Sequence, residues 1–225
     1  KFQSSEKLIN LVESHGFILE KTSFAPTRNY KKSGYQKHIM IFSRPDLTIN
    51  DENKLTLLVT NAHDGTSALK FNLGIFRTVC ANGLVVGNSF FSERIIHIGD
   101  GFKKKIDHTI EKFVAVAPSV KNAVVNMGNT PLSHKQIRQL AYDCAQFVVT
   151  DQDKIIDIES ILKIRRKEDK LTDLYTVFNI IQENILKGNF YYGKDNKRIK
   201  AREVKSIKRG ININQNIFDA ALMYV

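Results

Sequence analysis

Three groups of residues carry side chains suited to chemistry. The first lies in F-N-L-G-I-F-R-T-V-C-A-N-G-L-V-V-G at residues 71–87, where Arg77, Cys80 and Asn82 sit among Leu73, Ile75, Val79, Leu84, Val85 and Val86. Polar and reactive groups embedded in apolar β structure need partners. Arg77 can pair with an interior carboxylate, or lie along a groove and meet phosphate. Cys80 near His63 or His97 could serve as a thiol nucleophile, or be a buried structural cysteine. The second group is His63 and Asp64, followed by Glu93, His97 and Asp100, whose imidazoles and carboxylates could converge on a divalent ion for phosphodiester hydrolysis. Their spacing matches no known ligand motif, so a metal-dependent nuclease using His63, Asp64, His97 and Asp100 stands as the alternative.

The third group is the most basic. Residues 161–210 hold 14 Lys and Arg against 6 Asp and Glu, which is +8 of the chain's +11. Within them, F-Y-Y-G-K-D-N-K-R-I-K-A-R at 190–202 interleaves aromatics, including Tyr191 and Tyr192, with Lys194, Lys197, Arg198, Lys200 and Arg202. Aromatic rings stack on bases at roughly 1–3 kcal/mol each while cations neutralise phosphates. The same run also suits a solvated hairpin whose tyrosines pack on the body. Lys103, Lys104 and Lys105 open a helix, where cations oppose the dipole and an external anion would relieve them; an ordinary exposed lysine run is the favoured reading.

Elements must hold these groups in place. Ser4 or Ser5 can cap a short amphipathic helix that Gly16 ends. From Tyr35 the pattern alternates as strands do, with Pro45 and N-D-E-N at 50–53 as breaks, and Leu55 to Thr60 is a second strand. N-A-H-D-G at 61–65 reads as a hairpin loop, since Asp-Gly tolerates positive φ, and Thr66 to Phe76 returns antiparallel. Leu84 to Val86 and Phe90 to Ile98 supply further strand material. After G-D-G at 99–101 the period turns helical: Asp100 can cap a run of Ile106, Ile110, Phe113 and Val114 that Pro118 closes. Ser133 and Gln136 have capping-box spacing ahead of Ile137, Leu140, Ala141, Cys144 and Val148. Helices are predicted over Ile155 to Arg166, from Leu171 to a stop at Gly188, and after a cap at Asn212 or Asn214.

The expected fold is α+β, with an antiparallel sheet and an N-terminal helix over residues 1–101, then a mainly helical region over 102–225 with a basic hairpin or loop near 189–203. The two are expected to pack as one unit. A chain of 225 residues, 42% hydrophobic, can bury a sizeable core. Its pI of about 9.6 favours polyanionic partners. Cys80 and Cys144 show no metal or disulfide spacing, which fits a reducing, cytoplasmic setting. No apolar run approaches the ~20 residues that span a bilayer, and K-F-Q-S-S-E-K is no signal peptide. A nucleophile elbow, a Walker loop and a dinucleotide fingerprint are all lacking from the sequence, so no cofactor is expected.

The segments N-A-H-D-G-T-S at 61–67, F-R-T-V-C-A-N-G-L-V-V at 76–86 and D-L-Y-T-V-F-N-I-I-Q-E-N-I-L-K-G at 173–188 resemble the phage- and plasmid-associated domain of unknown function numbered nine hundred and thirty-two. The likeness covers most of residues 30–225, and Phe218 stands where that family's last helix would carry Trp. It implies phage or plasmid biology in a bacterial host cell. At the level of a small sheet, a helix and a basic groove, the chain is also similar to ring-forming single-strand-annealing recombination proteins. The expected function is single-stranded DNA binding, promoting annealing or protection, in a possible homo-oligomer. Besides the nuclease, a phage–host protein-interaction module is the other alternative.

Overall fold

A computed structural model describes residues 4–27, 33–50, 53–65, 67–77, 83–85, 91–95, 101–167, 169, 173–194 and 197–225; for residues 50, 76, 77, 83–85 and 194 it describes the backbone alone. The chain divides into two units, residues 1–121 and 122–225. Its class is α+β: an antiparallel sheet in the N-terminal half, then mostly helices with a second, small sheet.

In the first unit the Ser4 hydroxyl accepts from the Lys7 N–H and opens helix α1 (Ser5–Glu13). The helix unwinds through Gly16 at φ +81°. Strands β1 (Ile18–Phe24), β2 (His38–Asn50), β3 (Asn53–Asn61), β4 (Leu69–Arg77) and β5 (Gly83–Val85) then pair antiparallel in sequence order, and β6 (Ser92–Ile95) also pairs with β4. The register places Met40, Phe42, Leu57, Val59, Phe71 and Leu73 on one face, and all six are fully buried. The Asp64-Gly65 turn between β3 and β4 has its glycine at φ +76°, the positive value predicted for it. Pro45 does not end β2. The β2–β3 register shifts between Ser43 and Thr48, so the proline sits where no ladder bond is required of it.

Helix α2 (Phe102–Gly128) buries Ile106, Ile110 and Phe113, and Phe113 meets Phe17 and Phe91 edge-on at 5.7 and 5.5 Å. Pro118 was expected to close this helix, yet it lies inside it. Buried Ala117 lies just before it and buried Val120, Val124 and Met127 continue the stripe past it, and that burial outweighs the roughly 3 kcal/mol an interior proline costs.

In the second unit α3 (His134–Gln146) opens on the predicted capping box of Ser133 and Gln136 and buries Ile137, Leu140, Ala141 and Cys144. The helix predicted over Ile155 to Arg166 is instead strand β7 (Ile155–Asp157) and the single turn α4 (Ile158–Ile161). Two adjacent isoleucines pair readily in a ladder, and Asp157 accepts the Ser160 N–H and starts a turn at once. Helix α5 (Leu174–Leu186) stops before Gly188, as predicted. Strands β8 (Tyr191–Lys194) and β9 (Lys197–Lys200) form the expected hairpin, and β7 completes a sheet in the order β7-β8-β9. Helix α6 (Ile207–Leu222) is capped by Ser206, earlier than Asn212 or Asn214; Asn214 is buried instead and bonds Gln182 across to α5 at 2.8 Å.

Burial, with Asp143 nearby, pushes the Cys144 thiol far up from its usual value. Thiolate is the reactive form, so Cys144 should take no iodoacetamide in native protein and react fully once denatured. Peptide mass spectrometry of the Cys144 peptide checks this, and an adduct formed under native conditions would contradict it.

Candidate functional site

The hairpin forms one wall of a cleft of about 390 Å³, lined by Asp157, Glu159, Ser160, Lys163, Arg165, Asn189, Tyr191, Arg198 and Lys200. Strand alternation explains the composition. Asp157, Tyr191 and Lys200 pair side by side across β7, β8 and β9, and Arg198, two residues from Lys200, joins them on the same face. Ser160 ties floor to wall, its hydroxyl donating to the Asp157 carbonyl and accepting the Tyr191 N–H.

Charge in the cleft is unbalanced. Arg198 pairs with Asp157 at 2.9 Å and lies over the Tyr191 ring, 4.0 Å from its centre. Glu159 is taken by Arg138 from outside the cleft. That leaves Lys163, Arg165 and Lys200 with no carboxylate partner among the described residues. Arg165 uses two of its five donors, Nε on Asn184 Oδ1 at 2.5 Å and an Nη on the Asn189 carbonyl at 2.9 Å. The other three can meet a ligand.

Predicted site residues divide between the two units. Tyr191, Arg198 and Lys200 line the cleft, while Tyr192 belongs to the opposite face of the small sheet and has Lys154 over its ring at 5.1 Å. Lys197 and Arg202 are exposed outside the cleft lining, and the Lys194 side chain lies outside the described atoms. Lys103, Lys104 and Lys105 belong to the first unit, on the first turn of α2. Lys103 bonds Asp107 at 3.0 Å, and Asp107, which His15 also binds at 2.9 Å, is held below the usual carboxylate range by these hydrogen bonds, that from His15 foremost. The Arg77 side chain, Cys80, Asn82, His97 and Asp100 lie outside the described residues.

His63 does not stand alone. Its Nε2 and that of His38 both meet the Ser5 hydroxyl, at 2.7 and 2.8 Å. His38 Nδ1 faces the Gln36 carbonyl and so carries the proton there, leaving Nε2 to accept from Ser5 in the neutral ring. Asp64 follows in the β3–β4 turn. Among the described residues no group of three or more His, Cys, Asp and Glu could hold a metal ion. Nor is any described helix long and apolar enough to cross a membrane.

Sequence reasoning missed Lys163 and Arg165, which it had placed on a helix. It also missed what Q-E-N at 182–184 does. All three side chains are buried on α5: Gln182 reaches α6, while Glu183 and Asn184 both hold the segment after α4. Gln182 holds Asn214 of α6, Glu183 takes Arg166 at 2.9 Å and Lys187 at 2.8 Å, and Asn184 binds residues 161, 163 and 165.

The chain belongs to the family described as Domain of unknown function (DUF932), whose model matches residues 3–218. It is 28% identical over 219 residues to the UPF0380 protein YfjQ of Escherichia coli (strain K12), covering 93% of this chain and 78% of that protein. The UPF0380 protein YafZ of the same strain is 28% identical over 215 residues, covering 94% and 77%. No solved structure matches the chain. The 173–188 segment that resembles this family holds helix α5 and its stop: Asn179, Gln182, Glu183 and Asn184 lie on the helix and Gly188 just beyond its end.

Proposed function

We propose that the protein binds single-stranded nucleic acid, in the first instance DNA, through the β8–β9 cleft, in the service of strand protection or annealing. The observation that carries this is the set of three cations without carboxylate partners, Lys163, Arg165 and Lys200, around an aromatic platform in a concave surface. Phosphates supply the anions these side chains lack. Tyr191 has Arg198 on one face, and a guanidinium plane stacked on a ring is itself a surface for an unpaired base. A recess of this size admits a splayed base beside its phosphate, whereas a duplex keeps its bases inside. Edge protection alone would explain basic side chains on exposed β9, since charged edges discourage strand addition. It gives no reason for Lys163 and Arg165, which come from the segment after α4.

The test is fluorescence anisotropy of a labelled oligo-dT and of a duplex of equal length, at salt between about 50 and 200 mM. Three phosphate contacts predict a slope of log affinity against log salt near −2 for the single strand, with weaker duplex binding. The Lys163→Gln, Lys200→Gln double variant should lower that slope by about 1.4 in magnitude. Failure of the wild type to bind at the lowest salt would sink the proposal.

A further inference from the structure

Asn184 is 1% exposed, yet both polar atoms of its side chain bond one segment of chain. Its Nδ2 donates to the Ile161 carbonyl at 2.7 Å and the Lys163 carbonyl at 3.0 Å, and its Oδ1 accepts from Arg165 Nε. Next to it, Glu183 takes Arg166. The two arginines are thus split: Arg165 lines the cleft and Arg166 turns inward to a buried carboxylate. Residues 162–167 contain no helix or strand of their own, so nothing in their local backbone pattern fixes where their four cations point. Contacts from α5 do.

We infer that Asn184 is the positioning residue of the cleft: it holds residues 161–165 so that Lys163 and Arg165 stand beside Tyr191 and Lys200 instead of ranging through solvent. This rests on the nucleic-acid reading for the ligand, but the holding itself is measurable without one. A flexible cationic loop would still attract polyanions. What Asn184 adds is preorganisation, since side chains already fixed lose less freedom when the ligand arrives. The contact geometry is specific to an amide, because the same side chain must donate twice to carbonyls and accept once from a guanidinium.

The experiment compares wild type with Asn184→Ala, Asn184→Asp and Gln182→Ala by hydrogen–deuterium exchange and by oligo-dT binding at two salt concentrations. Asn184→Asp keeps the volume and the acceptor for Arg165 while removing both donated bonds, so it serves if the alanine variant does not fold. Gln182→Ala removes a buried bond on the same helix, but one directed to α6, and it controls for general destabilisation.

The expected result is at least tenfold faster exchange across residues 161–167 in the Asn184 variants. Oligo-dT affinity should fall about tenfold and the salt slope should shrink, because Lys163 and Arg165 no longer bind in register. Gln182→Ala should leave loop exchange and slope as in the wild type, even where it lowers the melting temperature. Wild-type loop exchange in a folded Asn184 variant overturns the inference whatever the protein binds, and so does an equal rise in Gln182→Ala. Wild-type protein that binds no oligonucleotide removes the nucleic-acid reading instead, while the exchange result still decides whether Asn184 holds the loop.

Discussion

Replacing Gly188 by alanine should cost ~4 kcal/mol or more and leave the second unit unable to fold at ordinary temperature. Two causes add. Gly188 has φ +63°, where a Cβ presses on the following carbonyl, and that strain alone costs about 1–2 kcal/mol. The second is a close crossing of chain. A Cβ here would stand 2.6 Å from the Arg202 carbonyl carbon and the Glu203 nitrogen and 2.7 Å from the Ala201 oxygen, all of them backbone and unable to swing aside. The chain leaving β9 is tied down at this point, with Ala201 N–H on the Phe190 carbonyl and Val204 N–H on the Leu186 carbonyl. Relief would break that pairing. Gly65→Ala is the matched control: φ is +76°, but nothing lies within 4 Å of the added methyl among the described residues, so only the strain remains. Urea unfolding of both variants decides. Equal losses would show that the crossing at Gly188 is not tight.

What the sequence disclosed and what it hid follow one physical division. Signals satisfied within a few residues were legible. Ser133 and Gln136 close a capping box across three positions, the Asp64-Gly65 turn needs only a permissive φ, and Ser4 finds Lys7 one turn on. Elements decided by distant partners were not. Ile155 to Arg166 carries a helix-like pattern, but β8 offers residues 155–157 a ladder from some 35 residues away. Pro118 reads as a stop, and only continued burial on both sides of it keeps α2 running. Strand β1 was not read at all, because most of its residues are exposed and no apolar alternation marks it.

The candidate site divides likewise. Tyr191, Arg198 and Lys200 were visible as an aromatic and basic hairpin, since both partners of that hairpin lie within ten residues. Lys163 and Arg165 lie on a segment that α5 holds from a distance, Asn184 foremost, and a buried amide does not announce its partners in a sequence. The meeting of Ser5, His38 and His63 has the same origin: the β2–β3 register sets His38 opposite Asn61, two residues before His63, and only the fold brings α1 to them.

Glu183→Gln should destabilise the protein by roughly 3 kcal/mol near neutral pH, lowering its melting temperature by about 6–12 °C. Glu183 is 6% exposed, and both its oxygens are used, one by Arg166 and one by Lys187. Burial raises the carboxyl's pKa, but hydrogen bonds from Arg166 and Lys187 more than offset this and hold it below the usual 4.5. The glutamine is nearly isosteric, so packing survives while Arg166 and Lys187 lose the buried negative charge they share. Removing the charge from a buried ion pair costs more than the pair itself contributes, and this is where the loss arises. The pH dependence has a definite sign. A carboxyl with a depressed folded pKa contributes stability above its unfolded value and loses it as pH falls through the folded one. The stability gap between wild type and Glu183→Gln should therefore be full at pH 7 and close progressively below about 4.5, measured by urea unfolding across that range. A gap that stays constant down to pH 3 would show that Glu183 acts through its shape and not its charge. The same variant weakens the hold of α5 on Arg166, so residues 162–167 should loosen with it, although Asn184 still holds their carbonyls. Glu183 thus sets the stability of the segment, and Asn184 sets where its cations stand.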